Sequence, residues 1–410
     1  MSGLAGCVST GGDDDTDLTG WGWNIAAQSL QDAAVQYNEE NGTDISVDEL
    51  GDDAWEQRFQ TAITSGEGAP EFSPVQNYEV ASFADLGGLT DLTDRIDEAE
   101  IRDDIIDGKW DTVNIDGNDY ALPWDLGPTG VFYNRERYSE AGIDPDNIET
   151  WDDFIEAGAS LPDDIAMLDL PTEEIPQLWR TLFRQLGGQS FTEDGDVNIA
   201  SGESVRAAEL IKDLDDAGIT TRVEMWSGGW FTSFAEGDIL SMISAAWMDG
   251  TLRAELPDTE GNWGVYKLPA FEEGGSRASN RGGSNLVIPS QIQDEEVVEE
   301  VWEFCLWSMT TPEVQNTMLE EYGLFPSLAT AYDSSIYEEE QEFYDGQAVW
   351  ELFAEVAEEI EPYRYTPDTP EVMNALETEL NDMLDDEQSP EEAMENAAET
   401  VADRTDRDLA

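Results

Sequence analysis

Histidine is absent from all 410 residues. That removes the usual general base near neutral pH, the Ser-His and Cys-His nucleophile pairs, and His-based zinc sites. Cysteine occurs twice, as Cys7 and Cys305, too few for a disulfide framework. Lysine is nearly missing: Lys109, Lys212 and Lys267 are the whole set, and with arginine the basic residues total 18. No basic stripe exists to displace counterions from a nucleic acid, so nucleic acid is not an expected partner. No apolar run reaches about 18 residues, the length that spans a bilayer as a helix. The G-x-S-x-G elbow, a phosphate loop ending in Gly-Lys-Ser/Thr, C-x-x-C and the spaced acids of a calcium loop are also missing. No cofactor and no metal are expected. A two-carboxylate glycosidase stays open, since that chemistry needs only two acids across a cleft. With so many acids, however, any chosen pair carries no information, and a solvated acidic surface is the default.

What is present in excess is negative charge: 94 acidic residues against 18 basic ones give a formal net charge of -76. High net charge usually marks disorder, but 14 Trp, 14 Phe and 12 Tyr supply ample buryable surface, so the chain is expected to fold. Self-repulsion then has to be screened, and molar salt shortens the Debye length to about 3 Å. The composition is that of a protein from a halophile, and a halophilic archaeon is the expected source.

The pattern along the chain alternates strands and helices. Leu18 to Trp23 is a short apolar run, followed by helical spacing at Ile25, Leu30, Ala34 and Tyr37, then alternation from Ile45 to Leu50. Trp55, Phe59 and Ile63 recur at helix spacing, and Gly66 to Pro70 closes that helix. This alternation predicts an α/β fold with mainly parallel sheets. Between residues 116 and 154 the punctuation is dense. Asp116-Gly117-Asn118 predicts a hairpin turn, Pro123, Gly127 and Pro128 break regular structure, and Gly130 to Tyr133 resumes as a strand. Thr150 with Asp153 predicts a capping box with a shortened acid. Thr311-Pro312-Glu313, Thr369-Pro370-Glu371 and Ser389-Pro390-Glu391 read as helix starts in which the hydroxyl caps and Pro takes the first turn. Cys305, in a helical apolar run, reads as a buried thiol.

Several motifs occur in order: G-x-x-Y-A-L-P at Gly117 to Pro123, Y-N-x-E at Tyr133 to Glu136, A-G-I-D at Ala141 to Asp144 and T-W-D-D-F at Thr150 to Phe154. Together they resemble the sugar-binding, maltose-binding-protein-like family of extracellular solute-binding proteins that feed ABC importers. The likeness continues through Trp230 to Trp247, Gly282 to Ile288 and Tyr322 to Ser327. It implies a two-lobed periplasmic-binding-protein-like fold with a ligand cleft between lobes, and a carbohydrate receptor rather than an enzyme. The expected lobes are 18–125 with 270–325, and 126–269 with 326–410, joined by crossings near 123–129, 266–284 and 324–328. Leu4-Ala5-Gly6-Cys7 followed by Ser, Gly and Asp residues looks like a lipobox with a flexible tether over 1–17, making Cys7 the expected lipidation site. Only six residues precede it, fewer than a signal peptide needs. Asn41-Gly42-Thr43 is a glycosylation sequon that matters only outside the cytoplasm. The implied partners are a carbohydrate and an importer permease; the membrane is reached through the anchor alone, and a monomer is expected.

A sugar offers apolar C–H faces and a rim of hydroxyls, so its site needs flat rings and short polar side chains. Trp124 with Asp125, Trp226, Trp230, Trp247 with Asp249, and Gly283-Ser284-Asn285 lie at strand ends or beside glycines. For any single Trp, core packing is the stronger reading; Trp247 is the exception, because the resemblance places it where the family stacks a ring on sugar. Asp125 reads equally as a sugar ligand or a hinge acid. Trp23, Asn24 and Gln28 near the first strand, Gln76 and Asn77 with Tyr78, and Tyr363 with Arg364 complete the candidates. Two rivals remain at this level: an acidic glycoside hydrolase, and a receptor for a non-sugar solute, for which Arg253 or Arg281 would be the anion-binding group.

Overall fold

Leu18–Trp23 (β1) and Ile45–Leu50 (β2) pair in parallel, and the helix Asn24–Asn41 crosses between them. That helix buries Ala26, Ala27, Leu30, Ala33, Ala34 and Tyr37, one stripe at three- and four-residue spacing. Gly42 ends it at φ 74°, returning its N–H to the Asn38 carbonyl. The computed structural model describes residues 18–410, so the expectations for Cys7 and the tether fall outside the described residues. A second helix, Asp52–Ser65, leads to Ser73–Gln76 (β3). The expected hairpin is formed by Asn114–Ile115 (β4) and Asn118–Asp119 (β5). Asp116 at φ 53° and Gly117 at φ 89° place both central residues in the left-handed region that a two-residue hairpin turn requires.

Leu122–Pro123 (β6) and Asp125–Leu126 (β7) then carry the chain out of the first lobe. The second lobe is a five-stranded sheet of Thr129–Asn134 (β8), Ala166–Asp169 (β9), Thr220–Thr221 (β10), Ile239–Ala245 (β11) and Trp263–Lys267 (β12). Its order is β10-β9-β11-β8-β12. β9, β10 and β11 run parallel, whereas β8 is antiparallel to both neighbours. A parallel core is therefore extended by strands that enter and leave through the crossings, and their direction is set by the crossings. Every residue of β8 and β11 is buried, because helices cover both faces of the sheet. The return strand Ser284–Val287 (β13) inserts between β3 and β6, antiparallel to each. Phe325–Pro326 (β14) pairs with β7 as the third crossing.

The buried apolar residues divide accordingly. One core runs from Leu18 to Trp124 and resumes from Leu286 to Ala331; the other body draws on residues from Leu126 to Val401. The segment 270–281, expected with the first lobe, packs on the second. Ala270 N–H donates to the Glu149 carbonyl at 2.8 Å, Gln185 Nε2 reaches the Pro269 and Ser276 carbonyls, and Ser279 Oγ reaches that of Thr181. Leu328 and Ala331, past the expected boundary, belong to the first core.

The helix starts divide too. Thr150 and Asp153 form the expected capping box, as do Ser389 and Glu392. Thr311 makes no capping hydrogen bond: it also terminates the preceding helix, Glu295–Thr310. Thr369 lies inside its helix, with its Oγ1 accepting the Thr366 N–H at 2.9 Å. Cys305 is buried, and burial raises its thiol pKa.

Candidate functional site

Three crossings meet at the floor of the interlobe gap, and their contacts are tight. A Cβ on Gly127 would sit 1.8 Å from the Arg281 carbonyl oxygen, so only glycine lets these two crossings touch. The Gly127 N–H donates to Asn280 Oδ1 at 2.9 Å and its carbonyl accepts the Arg281 N–H at 2.8 Å. Beneath them lies a fully buried ammonium. Lys109 Nζ donates to Asn77 Oδ1 at 2.7 Å, the Asp125 carbonyl at 2.7 Å and the Ser284 carbonyl at 2.8 Å. Asp125 Oδ1 accepts the Ser284 N–H at 2.7 Å, and Asn285 Nδ2 donates to Asn77 Oδ1 at 2.9 Å. Gly283, at φ 98°, passes so close that a Cβ would lie 2.7 Å from the Asp125 carbonyl oxygen.

Above this floor a cleft of about 180 Å³ opens between the lobes. The first lobe contributes Gln76 and Tyr78, the second Glu174, Gln177, Arg180, Met225, Trp226 and Trp247, and the return crossing Arg281 and Gly282. A second hollow of about 500 Å³, edged by Glu173, Arg222 and Glu224, shares Glu174, Met225 and Trp226 with it. Trp226 is the most distinctive wall residue. It sits at φ 65°, a strained conformation for a bulky side chain, with 49% of its surface exposed. Its ring lies 6.1 Å from Trp247 and 5.6 Å from Trp230. Trp247 is half-buried, and its Nε1 donates to the Arg281 carbonyl at 3.1 Å, which fixes the indole against the crossing. The Arg281 guanidinium pairs with Glu174 and donates to the Ile243 carbonyl at 3.0 Å.

Of the residues expected from sequence, the cleft gathers Gln76, Trp226 and Trp247. Asn77, Asp125, Gly283, Ser284 and Asn285 lie outside the cleft lining, in and around the Lys109 network at the crossings. Trp124 is corrected to core, 1% exposed with its Nε1 against the Met318 sulfur. Trp230 is fully buried and donates to Asp169 Oδ2 at 2.8 Å, so it backs Trp226 instead of facing solute. Asp249 is buried and committed to neighbours in its own lobe. Its oxygens take Tyr344 Oη at 2.8 Å, Arg253 Nε at 2.6 Å and Trp350 Nε1 at 3.2 Å. Tyr363 is buried with its hydroxyl 2.7 Å from Ser190 Oγ, and exposed Arg364 is held through its N–H by Gln189. Trp23 stacks edge-on to Trp55, and exposed Gln28 donates to Glu49; with exposed Asn24 they sit at the end of β1, outside the cleft lining. Sequence reasoning missed Lys109, Glu174, Gln177, Arg180 and Met225.

One cleft-side acid has a pH consequence. Glu79 accepts the Gln76 N–H at 3.3 Å, and burial, reinforced by the Glu56 carboxylate, pushes its pKa up to about 8. Its folded pKa thus exceeds the unfolded value, so the folded state holds an extra proton between about pH 4.5 and pH 8. The associated stability is complete below that window and lost as pH rises through it. Thermal midpoints taken across the window in molar salt are expected to fall with pH, and Glu79→Gln is expected to flatten the fall. Parallel curves for the two proteins would remove Glu79 as its source.

Comparison with known proteins places these features in context. A family model described as "Bacterial extracellular solute-binding protein" matches residues 22–315. An arabinooligosaccharide-binding protein of Halalkalibacterium halodurans is 28% identical over 396 residues, covering 92% of this chain and 88% of the relative. A lactose-binding protein of Rhizobium radiobacter is 26% identical, covering 88% and 86%. Among solved structures, an ABC-transporter-associated binding protein of B. animalis subsp. lactis in complex with beta-1,6-galactobiose superposes with a TM-score of 0.78 at 24% identity, covering 95% and 97%. The galacto-N-biose-/lacto-N-biose I-binding protein of Bifidobacterium longum gives 0.79 at 20% identity, covering 97% and 100%. The two solved structures share the two-lobed α/β fold with this chain.

Proposed function

Because the chain belongs to the bacterial extracellular solute-binding protein family, we propose that it is a receptor that captures a carbohydrate outside the cell and delivers it to an ABC importer. The observation that carries this reading is the pair Trp226 and Trp247 on one wall of the interlobe cleft, with polar Gln76 and Gln177 beside them. Flat rings cover the apolar face of a sugar, and the amides meet its hydroxyls. The continuous space past Trp226 fits more than one sugar ring. Gln76 and Tyr78 stand on one lobe and the tryptophans on the other, so a ligand touching both favours the closed form; closure is driven by contacts that the open form lacks. No bond of the solute is made or broken. Anchoring through a lipid on Cys7 and operation as a monomer in molar salt complete the proposal.

A tryptophan-fluorescence and calorimetric screen of mono- and oligosaccharides in molar salt tests it. Trp247→Ala is expected to weaken the tightest ligand by about 30-fold, the loss of one central aromatic contact of about 2 kcal/mol. Unchanged affinity in that variant would take Trp247 out of the site, and no response to any saccharide would end the carbohydrate reading.

A further inference from the structure

Arg180 and Arg184 are out of place in this chain. They lie four residues apart on the helix Ile175–Gln185, hence on one face, and are 4% and 5% exposed. Buried cations are normally paired. With 94 acids in the sequence, a carboxylate for each would be easy to supply. Neither arginine makes an ion pair among the described residues, whereas half-buried Lys212 is shared by two acids, Asp216 and Asp386.

The surroundings of Arg180 define what is missing. Its guanidinium lies over the Tyr78 ring at 5.8 Å and the Tyr365 ring at 5.7 Å, one ring from each lobe side of the cleft. With two rings beside it, the capacity of a planar guanidinium for an anion is along its edge, where N–H groups point. On that edge Nη2 donates to Gln177 Oε1, while Nη1 is buried with no acceptor. Arg184 repeats the pattern: Nη1 reaches the Tyr365 hydroxyl at 3.3 Å, and Nε has no acceptor. Lys109 is a third buried basic group; burial, opposed by the Asp125 carboxylate and reinforced by the nearby Arg184 guanidinium, lowers its pKa to about 7. Of the other charged residues lining this cleft, Arg281 and Glu174 pair with each other; the buried Asp169 carboxylate lies near Arg281, and Glu173 and Glu224 belong to the outer hollow, with Arg222 already held by Asp215 and Asp385. Burial also keeps Glu79, next to Tyr78, protonated to about pH 8. The cleft therefore has a cationic surplus with open donors, inside a molecule that is otherwise strongly anionic.

We propose that the captured saccharide bears a carboxylate, as a uronic acid does, and that this carboxylate binds in the plane of Arg180 when the lobes close. The inference rests on the receptor reading above and narrows its substrate class. A planar carboxylate matches the edge of a planar guanidinium, and the bond is charge-assisted at both ends. A neutral hydroxyl would satisfy Nη1 as an acceptor but leave the surplus charge uncompensated. Being desolvated, the pair is screened by salt far less than surface charges are.

The test is calorimetry in molar potassium chloride with three matched ligands: galacturonate oligomers, their methyl esters, which keep the shape without the charge, and the neutral galactose oligomers. The acids are expected to bind at least about tenfold more tightly than either neutral series. Arg180→Gln is expected to abolish that ratio, and Arg180→Lys to restore it only in part, because an ammonium lacks the planar edge. Arg180→Gln is also expected to melt no lower than the parent, since it removes an unpaired buried charge; a purely structural arginine would give the opposite. Methyl esters binding as tightly as the acids would overturn the proposal on the unaltered protein, whatever becomes of the variants. Tight binding of neutral sugars with an unchanged ratio in Arg180→Gln would overturn it while leaving the carbohydrate receptor intact. A response to glutarate with none to any saccharide would retire both.

Discussion

Transfer from molar salt into buffer of about 0.01 M ionic strength is expected to unfold this protein, with loss of the near-UV circular dichroism that its buried tryptophans generate. Two carboxylates about 10 Å apart in water repel by about 0.4 kcal/mol when unscreened. A folded domain is stable by only about 5–15 kcal/mol, so a few dozen such pairs are enough to cancel it. At 1 M salt the Debye length is about 3 Å and each of those repulsions nearly vanishes; at 0.01 M it is about 30 Å and they add. Local pairing cannot make up the difference. Lys212 is already divided between Asp216 and Asp386, Lys267 between Glu355 and Glu359, and Arg222 between Asp215 and Asp385. Among the described residues ten of the 18 basic residues are ion-paired, and most of the acids have no cationic side chain beside them. A sharp native spectrum retained at low ionic strength, with neither ligand nor divalent cation present, would refute this reading of the charge.

The same excess of acid explains what the sequence discloses and what it hides. Hydrophobic period and turn chemistry are local, so β1, the helix after it, the hairpin at Asp116-Gly117 and the caps at Thr150 and Ser389 were readable. Trp226 was expected near the cleft from its place beside turn residues and Trp247 from the family resemblance, and both line the cleft. Trp124, Trp230 and Tyr363 share that local pattern, yet their rings point inward; only the tertiary packing separates the two groups. Asp125, Ser284 and Asn285 were found as polar residues at the crossings, but their partner is Lys109, well separated from each of them in the chain. A signal for Lys109 existed: it is one of three lysines in a chain almost purged of them. Another existed for Arg180 and Arg184. The eleven residues Ile175–Gln185 contain both arginines and no acid, an unusual stretch in a sequence with 94 acidic residues.

Replacing Lys109 by methionine, which keeps the length of the stem and removes the ammonium, is expected to cost about 3–5 kcal/mol, the usual penalty for deleting one member of a buried charged network. Three acceptors would each lose a donor together: the Asp125 carbonyl, Asn77 Oδ1, which keeps the Asn285 amide, and the Ser284 carbonyl, which keeps the Trp124 N–H at 3.3 Å. The buried Asp125 carboxylate would also lose the nearby positive charge that opposes its desolvation; burial already pushes its pKa up to about 6 with the ammonium in place. The damage is placed where the lobes join, since Asn77 closes the end of β3, Asp125 begins the outward crossing and Ser284 ends the return. A thermal midpoint lower by several degrees in molar salt is therefore expected, together with weaker saccharide binding, because the crossings set how the two walls meet. Asp125→Asn in the same background separates charge from hydrogen bonding. If the uncompensated carboxylate dominates, the double variant should be more stable than Lys109→Met alone. If the orphaned acceptors dominate, the second substitution should recover nothing. An unchanged midpoint in Lys109→Met would mean that the ammonium is not what ties the crossings together.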